Sequence, residues 1–265
     1  MKRRIYVLGA AMILAAIVGA RLVGQFGPPS AGPPKSPRAS APIDLTGYWV
    51  SIVTEDWRFR MIVPDKGDFS SVPLTPEGRK VANMWDPAKD KDDGNECRSY
   101  GAAGLMRVPG RLHISWENDD TLRIDTDSGT QTRLLHFGGS EPMGAAPTWQ
   151  GYSVAHWEGL RPGFLIAYMG QHAADQSPEG YLRVVTKHMR PGYLRKNGVP
   201  YSGDAMLEEY FDAFEGLQGD RWLVVTTIVT DPQYLFQPFI TSTHFKKLSG
   251  ASGWDPTSCH ADEPR

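Results

Sequence analysis

The sequence is short of several things, and each shortage closes off a class of function. It has no basic surplus: 28 Lys+Arg stand against 30 Asp+Glu, a formal charge of −2. Proteins that neutralise a phosphate backbone carry a positive excess or stripe, so nucleic acid is not an expected partner. Neither a G-x-G-x-x-G after a strand pattern nor a P-loop occurs, so no nucleotide or other organic cofactor is expected. The metal-binding spacings H-x-H, HExxH and CxxC are missing too. What remains is a weak set of His113, His136, His172, Asp175 and His188, and no metal is expected. Around Ser153 the order Gly151-Tyr152-Ser153-Val154-Ala155 is not the nucleophile elbow of a serine hydrolase. There is no βαβ rhythm and no internal repeat. Ile5–Ala20, uncharged throughout, stops short of the roughly 20 residues of a comfortable membrane span.

That apolar stretch has a different meaning because of what precedes it. Lys2, Arg3 and Arg4 form a positive cluster, and Val18-Gly19-Ala20 supplies small residues at its end, the layout of a secretory signal peptide. An uncleaved N-terminal anchor is the alternative, since Leu22 and Val23 continue beyond Arg21. Either way the rest of the chain is expected outside the cytoplasm, periplasmic or secreted, touching the membrane only through this segment. No Cys follows the apolar run, so a lipid anchor is not indicated. Residues 27–42, GPPSAGPPKSPRASAP, cannot bury apolar surface and read as an extended, solvated tether. The expected layout is therefore 1–26 signal or anchor, 27–42 linker and 43–265 folded domain.

Cysteine is scarce: only Cys97 and Cys259 occur. In an oxidising compartment two cysteines usually pair. Two free thiols are the alternative.

From residue 43 onward, period-two alternation dominates. Strands are expected near 45–53, 111–117, 121–127, 130–137, 149–158, 164–169, 181–188, 221–230 and 238–247. The segment 205–214 has helix formers, yet it precedes glycines and the β-branched run RWLVVTTIVT, so it reads as the first arm of a hairpin. One short helix is expected at 75–85, with Thr75 as N-cap, Pro76 in the first turn and Asp86-Pro87 as its stop, followed by a charged loop to Cys97. Eight to ten strands without helical crossovers point to an all-β fold, an antiparallel barrel or sandwich. A barrel of that size removes exposed edges and has room for one small ligand.

Three segments carry a resemblance. PTWQGYSVAHWEG (147–159), GVPYSGDAMLEEYF (198–211) and TIVTDPQYLFQPF (227–239) resemble a family of uncharacterised exported bacterial proteins with a lipocalin-like β-barrel. The likeness covers most of residues 44–260, both cysteines included, and implies the fold but no reaction. Tyr152 and Tyr201 stand where that family often carries His, which argues against a His-based metal site here.

The candidate chemistry lies on those segments. Alternation puts Gln150, Tyr152, His156 and Glu158 on one face of a strand. A His beside a Glu is a usable acid/base pair, and a Tyr can donate to a developing oxyanion. A solvent-facing strand surface is the competing reading. Of Glu208 and Glu209 only one can face inward; Glu209 matches the family position, and an inward carboxylate among apolar groups is a candidate acid or base. The candidate catalytic set is thus Tyr152, His156, Glu158 and Glu209. With 8 Trp in the chain, an aromatic-lined interior would suit a flat apolar ligand, with Trp116, His136, Trp149, Tyr201 and Ser202 as its contacts. The leading expectation is an envelope protein that binds a small hydrophobic or aromatic molecule. The alternatives are a cofactor-independent lyase, isomerase or hydrolase in the same cavity, and a structural or assembly factor of the envelope.

Overall fold

The computed structural model describes residues 35–141, 143–159 and 180–265, and the folded unit begins at Ser36. The expected strand 164–169, the loop with His172 and Asp175, and residues 1–34 lie outside the described residues.

Alternation in the sequence becomes a closed barrel of nine strands: β1 (Gly47–Ile52), β2 (Arg111–Asn118), β3 (Thr121–Thr126), β4 (Gln131–His136), β5 (Tyr152–Gly159), β6 (Gly180–Lys187), β9 (Met206–Glu215), β10 (Arg221–Thr230) and β11 (Phe239–Lys247). A separate two-stranded ribbon is formed by β7 (Gly192–Arg195) and β8 (Val199–Tyr201). Around the wall the order is β1-β11-β10-β9-β6-β5-β4-β3-β2, closed by pairing of Trp49 with Leu112 between β1 and β2. The segment 205–214 is indeed a strand, paired with β10 from Thr230↔Met206 to Arg221↔Glu215.

One pair breaks the antiparallel rule. β4 and β5 run parallel, Leu135 beside Ser153 and His136 beside Val154. A parallel neighbour needs a crossover of a dozen or more residues rather than a tight turn. The long Gly- and Pro-rich connection between His136 and Tyr152 supplies it.

Inward positions fill the barrel. Trp49, Ile114, Ile124, Leu135, Ala155, Leu182, Val184, Phe211, Leu223, Val225 and Phe245 are all buried in one cluster. Each large side chain fully removed from water is worth roughly 1.5–3 kcal/mol, which fixes the strand register, since a one-residue slip would turn this set outward. Trp49 is fully buried, and its indole N–H donates to the Leu45 carbonyl at 2.9 Å.

A cap closes the end where β1 and β10 finish. It contains α1 (Trp57–Arg60), α2 (Pro76–Ala82), α3 (Pro87–Asp92), α4 (Ala102–Leu105), the 3-10 turn Glu96–Tyr100 and the β7–β8 ribbon. A second core fills it, including Phe69, Leu74, Met189, Leu194, Val199, Tyr201, Leu235 and Phe239. α2 starts as expected: the Thr75 hydroxyl accepts from the Gly78 amide at 3.0 Å. The charged segment after it is not a loop, however. Asp86 accepts from the amides of Ala88 and Lys89, and Pro87 sits in the first turn, so the dipeptide that ends one helix begins α3.

At the opposite end Trp116, Phe137 and Trp157 pack together with ring centroids 5.3–6.5 Å apart. The end of the proline-rich tether docks there. Trp157 donates its indole N–H to the Pro37 carbonyl at 2.9 Å, and the Arg38 amide donates to the Asp119 carbonyl at 3.2 Å. The solvated-tether reading of residues 27–42 thus does not describe Ser36–Pro42.

The cysteines pair: Cys97 and Cys259 form a disulfide that ties the C-terminal segment to the 3-10 turn, 162 residues earlier. Among the described residues no helix is long and apolar enough to cross a membrane.

Candidate functional site

The face-sharing expected on β5 is correct, but the face is the outer one. Ser153 and Ala155 are buried inside the barrel, whereas Tyr152 and Glu158 are half-buried and His156 is exposed on the outside. Glu158 belongs to an outer ladder: it accepts from the Tyr181 hydroxyl at 2.9 Å and pairs with Arg183 at 3.5 Å. Tyr152 stacks on His136 with ring centroids 4.9 Å apart, also outside, and burial holds the His136 imidazole below its ordinary range.

Glu209 faces inward and is fully buried. It is not a free acid. Its two oxygens accept from Arg133 Nη1 at 3.0 Å and Nη2 at 2.6 Å, a bidentate pair with neither side chain exposed. Thr186 accepts weakly from Arg133 Nη2 at 3.4 Å and shares a 2.7 Å hydrogen bond with Ser153. The catalytic quartet therefore does not share a cavity: Tyr152, His156 and Glu158 lie outside the wall and Glu209 inside it.

The proposed ligand contacts scatter likewise. Trp116 lies in the aromatic cluster at the tether end of the barrel. Trp149 precedes β5, its ring 4.0 Å from the Arg190 guanidinium. Ser202 is structural. Its amide and hydroxyl donate to Asp231 at 2.6 and 2.9 Å, and Asp231 also accepts from the amides of Gln233 and Tyr234. Two of the segments that carry the family resemblance, GVPYSG and TDPQY, are thus one hydrogen-bonded unit.

That unit, the ribbon and two cap helices border a pocket in the cap. It is an open pocket of about 330 Å³ whose wall includes Trp85, Tyr193, Pro200, Tyr201 and Tyr234, with Arg98 and Asp90 beside them. The sequence builds it through two glycines. Gly198, at φ +81° in the turn of the ribbon, lies so close to Trp85 that any Cβ would collide with the indole. Gly101 lies equally close to the Tyr201 hydroxyl.

Asp90, itself buried, accepts from Arg98 Nη1 at 2.7 Å and from the Tyr193 hydroxyl at 2.9 Å. Burial pushes the Tyr193 hydroxyl up to about 12 and Tyr201 well above the ordinary tyrosine range, so both remain neutral donors. Three buried polar atoms of this wall have no hydrogen-bond partner: Trp85 Nε1, Arg98 Nε and the Tyr201 hydroxyl. All three are enclosed by protein, and the Tyr201 hydroxyl lies against the backbone of Gly101 and Gly192.

Tyr201 was expected at a ligand site; Trp85, Tyr193, Tyr234 and Arg98 were not. They come from separate segments with no shared period, and only the glycines beside them marked a close approach. Among the described residues no three His, Cys, Asp or Glu side chains converge in a way that could hold a metal ion. Compared with known proteins, the chain matches no family model, no curated protein and no solved structure.

Proposed function

We propose that this chain is a cell-envelope protein that binds a small, flat aromatic molecule bearing a hydrogen-bond acceptor, in the cap pocket rather than on the outer face of β5. The observation that carries the reading is an open pocket of about 330 Å³ lined by Trp85, Tyr193, Tyr201 and Tyr234, with the polar groups of Lys89 and Arg98 beside them. Aromatic walls supply apolar area, and a few placed donors fix orientation and identity. The positive N-terminal cluster followed by an apolar stretch supports export, as does a disulfide, which persists in oxidising compartments. The resemblance to exported bacterial barrel proteins points the same way.

The test is native mass spectrometry of the protein purified from an exporting host, with organic extraction of anything bound, followed by titration with 4-hydroxybenzaldehyde as a probe. The expected result is a bound aromatic molecule, or saturable probe binding, that Trp85→Ala abolishes and His156→Ala leaves unchanged. Protein that is empty and also ignores the probe at millimolar concentration would overturn the reading.

A further inference from the structure

The last segment of the chain braces the cap. Residues 248–265 form no helix or strand, and only Cys259 and Ala261 among them are buried. A short series of anchors holds them. Toward the barrel, the Trp254 ring packs edge-on to Tyr48 with centroids 5.7 Å apart, the Thr257 amide donates to the Asp127 carbonyl at 2.9 Å, and Arg265 Nη2 donates to the Asp127 carboxylate at 3.0 Å. Toward the cap, Cys259 is bonded to Cys97, the His260 amide donates to the Tyr100 hydroxyl at 3.1 Å, and the Glu263 carbonyl accepts from Lys196 Nζ at 2.6 Å.

The cap-side anchors fall on the two elements that carry walls of the aromatic pocket. Cys97 and Tyr100 belong to the 3-10 turn Glu96–Tyr100, and Arg98 of that turn lines the pocket. Lys196 lies in the turn of the ribbon, whose strands supply Tyr193, Pro200 and Tyr201. Turn and ribbon also hold each other. Arg98 Nη1 donates to the Tyr193 hydroxyl at 3.1 Å, and Gly192 lies so close to the Arg98 carbonyl that a Cβ there would collide. The C-terminal segment thus ties both walls from behind, the turn through the disulfide and the ribbon through Lys196.

Of these anchors only the disulfide is covalent. A segment with few buried groups and no hydrogen-bonded ladder opens at low cost once its strongest tie is cut. Freeing Cys259 frees His260 and Glu263 beside it, and with them the partners of Tyr100 and Lys196. A buried ammonium that loses an acceptor is costly to leave in place, so the ribbon turn shifts or opens to water. The bridge is cut by thiol–disulfide exchange. A dithiol attacks one sulfur as its thiolate, passes through a mixed disulfide and closes to its own cyclic disulfide. Two electrons and two protons pass from the dithiol to Cys97 and Cys259, which become thiols.

We propose that residues 248–265 are a redox latch on the cap pocket: the Cys97–Cys259 bridge holds the 3-10 turn and the ribbon in the binding geometry, and reduction by a dithiol loosens both and lowers the affinity for the aromatic ligand. The affinity change rests on the pocket reading above; the loosening of the walls does not.

The experiment compares the full chain with its bridge intact and after dithiothreitol, the reductant being removed without air before hydrogen exchange and titration with 4-hydroxybenzaldehyde. Dithiothreitol is expected to open the bridge in the folded protein, to speed exchange at residues 96–101 and 192–201, and to leave β9, β10 and β11 protected. Probe affinity is expected to fall at least about fivefold, the low end of coupling between distinct sites. Cys97→Ser/Cys259→Ser should bind the probe as weakly as the reduced wild type and be indifferent to dithiothreitol. A bridge that yields only when the whole chain unfolds overturns the proposal. So does reduction that leaves exchange at 192–201 unchanged, or a reduced protein that binds the probe as tightly as the oxidised one. If the oxidised protein ignores the probe, the pocket reading fails, and exchange at 192–201 alone decides the latch.

Discussion

Arg133 and Glu209 face each other across the interior of the barrel, a bidentate pair with both side chains withdrawn from solvent. β4 and β9 are not neighbours in the wall, so the pair bridges the lumen. Two ions taken out of water lose hydration that their mutual attraction only roughly repays, but removing one strands the other. Glu209→Leu is therefore expected to cost about 3–5 kcal/mol, whereas the double variant Arg133→Met/Glu209→Leu recovers most of that loss. Urea unfolding of the three proteins makes the comparison. A single variant as stable as wild type would show that the pair is not closed in solution.

The Cys97–Cys259 bridge joins points 162 residues apart. Constraining so long a loop in the unfolded chain is worth about 4–5 kcal/mol in the chain-entropy model. Cys97→Ser/Cys259→Ser should lower the denaturant midpoint accordingly without changing the strand signature by circular dichroism. The bridge sits beside Gln131, whose side chain also reaches the Gly129 carbonyl at 2.6 Å, so local loosening is expected at the start of β4. Hydrogen exchange of the 129–134 amides reads it.

Alternation made the barrel legible because a strand with one face inside must alternate. It allows only one of Glu208 and Glu209 to point inward, and that one is Glu209. β9 was legible in spite of its helix formers, because the Gly-rich turn and the β-branched β10 demanded a partner. The ribbon Gly192–Tyr201 was not. Most of its residues are buried on both faces, so no period of two survives. α3 was hidden for another reason: Asp-Pro is a stop signal when read from the left and a cap when read from the right. The cap pocket was unreadable because Trp85, Arg98, Tyr193, Tyr201 and Tyr234 meet only through tertiary folding. Nothing in a sequence marks a buried N–H as unpaired.

Tyr201 separates stability from recognition. Its ring is fully buried and its hydroxyl is unpartnered. An unpaired buried hydroxyl pays desolvation for nothing, so Tyr201→Phe should leave stability unchanged or raise it by up to about 1 kcal/mol. The hydroxyl is enclosed by protein, so the same change should leave probe binding unchanged. Melting curves and titration with 4-hydroxybenzaldehyde on one pair of proteins read both effects. Weakened probe binding by a folded Tyr201→Phe protein would show that the hydroxyl opens onto the pocket.

Lys196 gives the protein a pH signature that can be read without any ligand. The residue is 8% exposed, and its ammonium donates to the Tyr100 hydroxyl at 2.5 Å and the Glu263 carbonyl at 2.6 Å. Burial pulls it from an ordinary 10.5 down to about 7, against the opposing pull of Glu263 and Asp262. Between those values the unfolded chain holds a proton that the folded chain has given up, so stability rises with pH across that interval. Below about 7 both states are protonated and the full cost of burying the cation is present. Above the unfolded value both are neutral and the cost is gone. Tyr100, which burial pushes from 10.0 up to about 12, acts in the opposite direction above pH 10, because there the unfolded chain gives up a proton that the folded chain keeps, and stability falls as pH rises; its contribution is confined to that higher range, so the comparison belongs between about 7 and 10. The wild-type unfolding free energy should climb over that range by on the order of a few kcal/mol, at about 1.4 kcal/mol per unit of pKa difference. Lys196→Met should be more stable than wild type at pH 7 and should lack the climb. A wild-type profile as flat as that of the variant would mean that Lys196 keeps its proton when folded, stabilised by Glu263 and Asp262 more than burial opposes it.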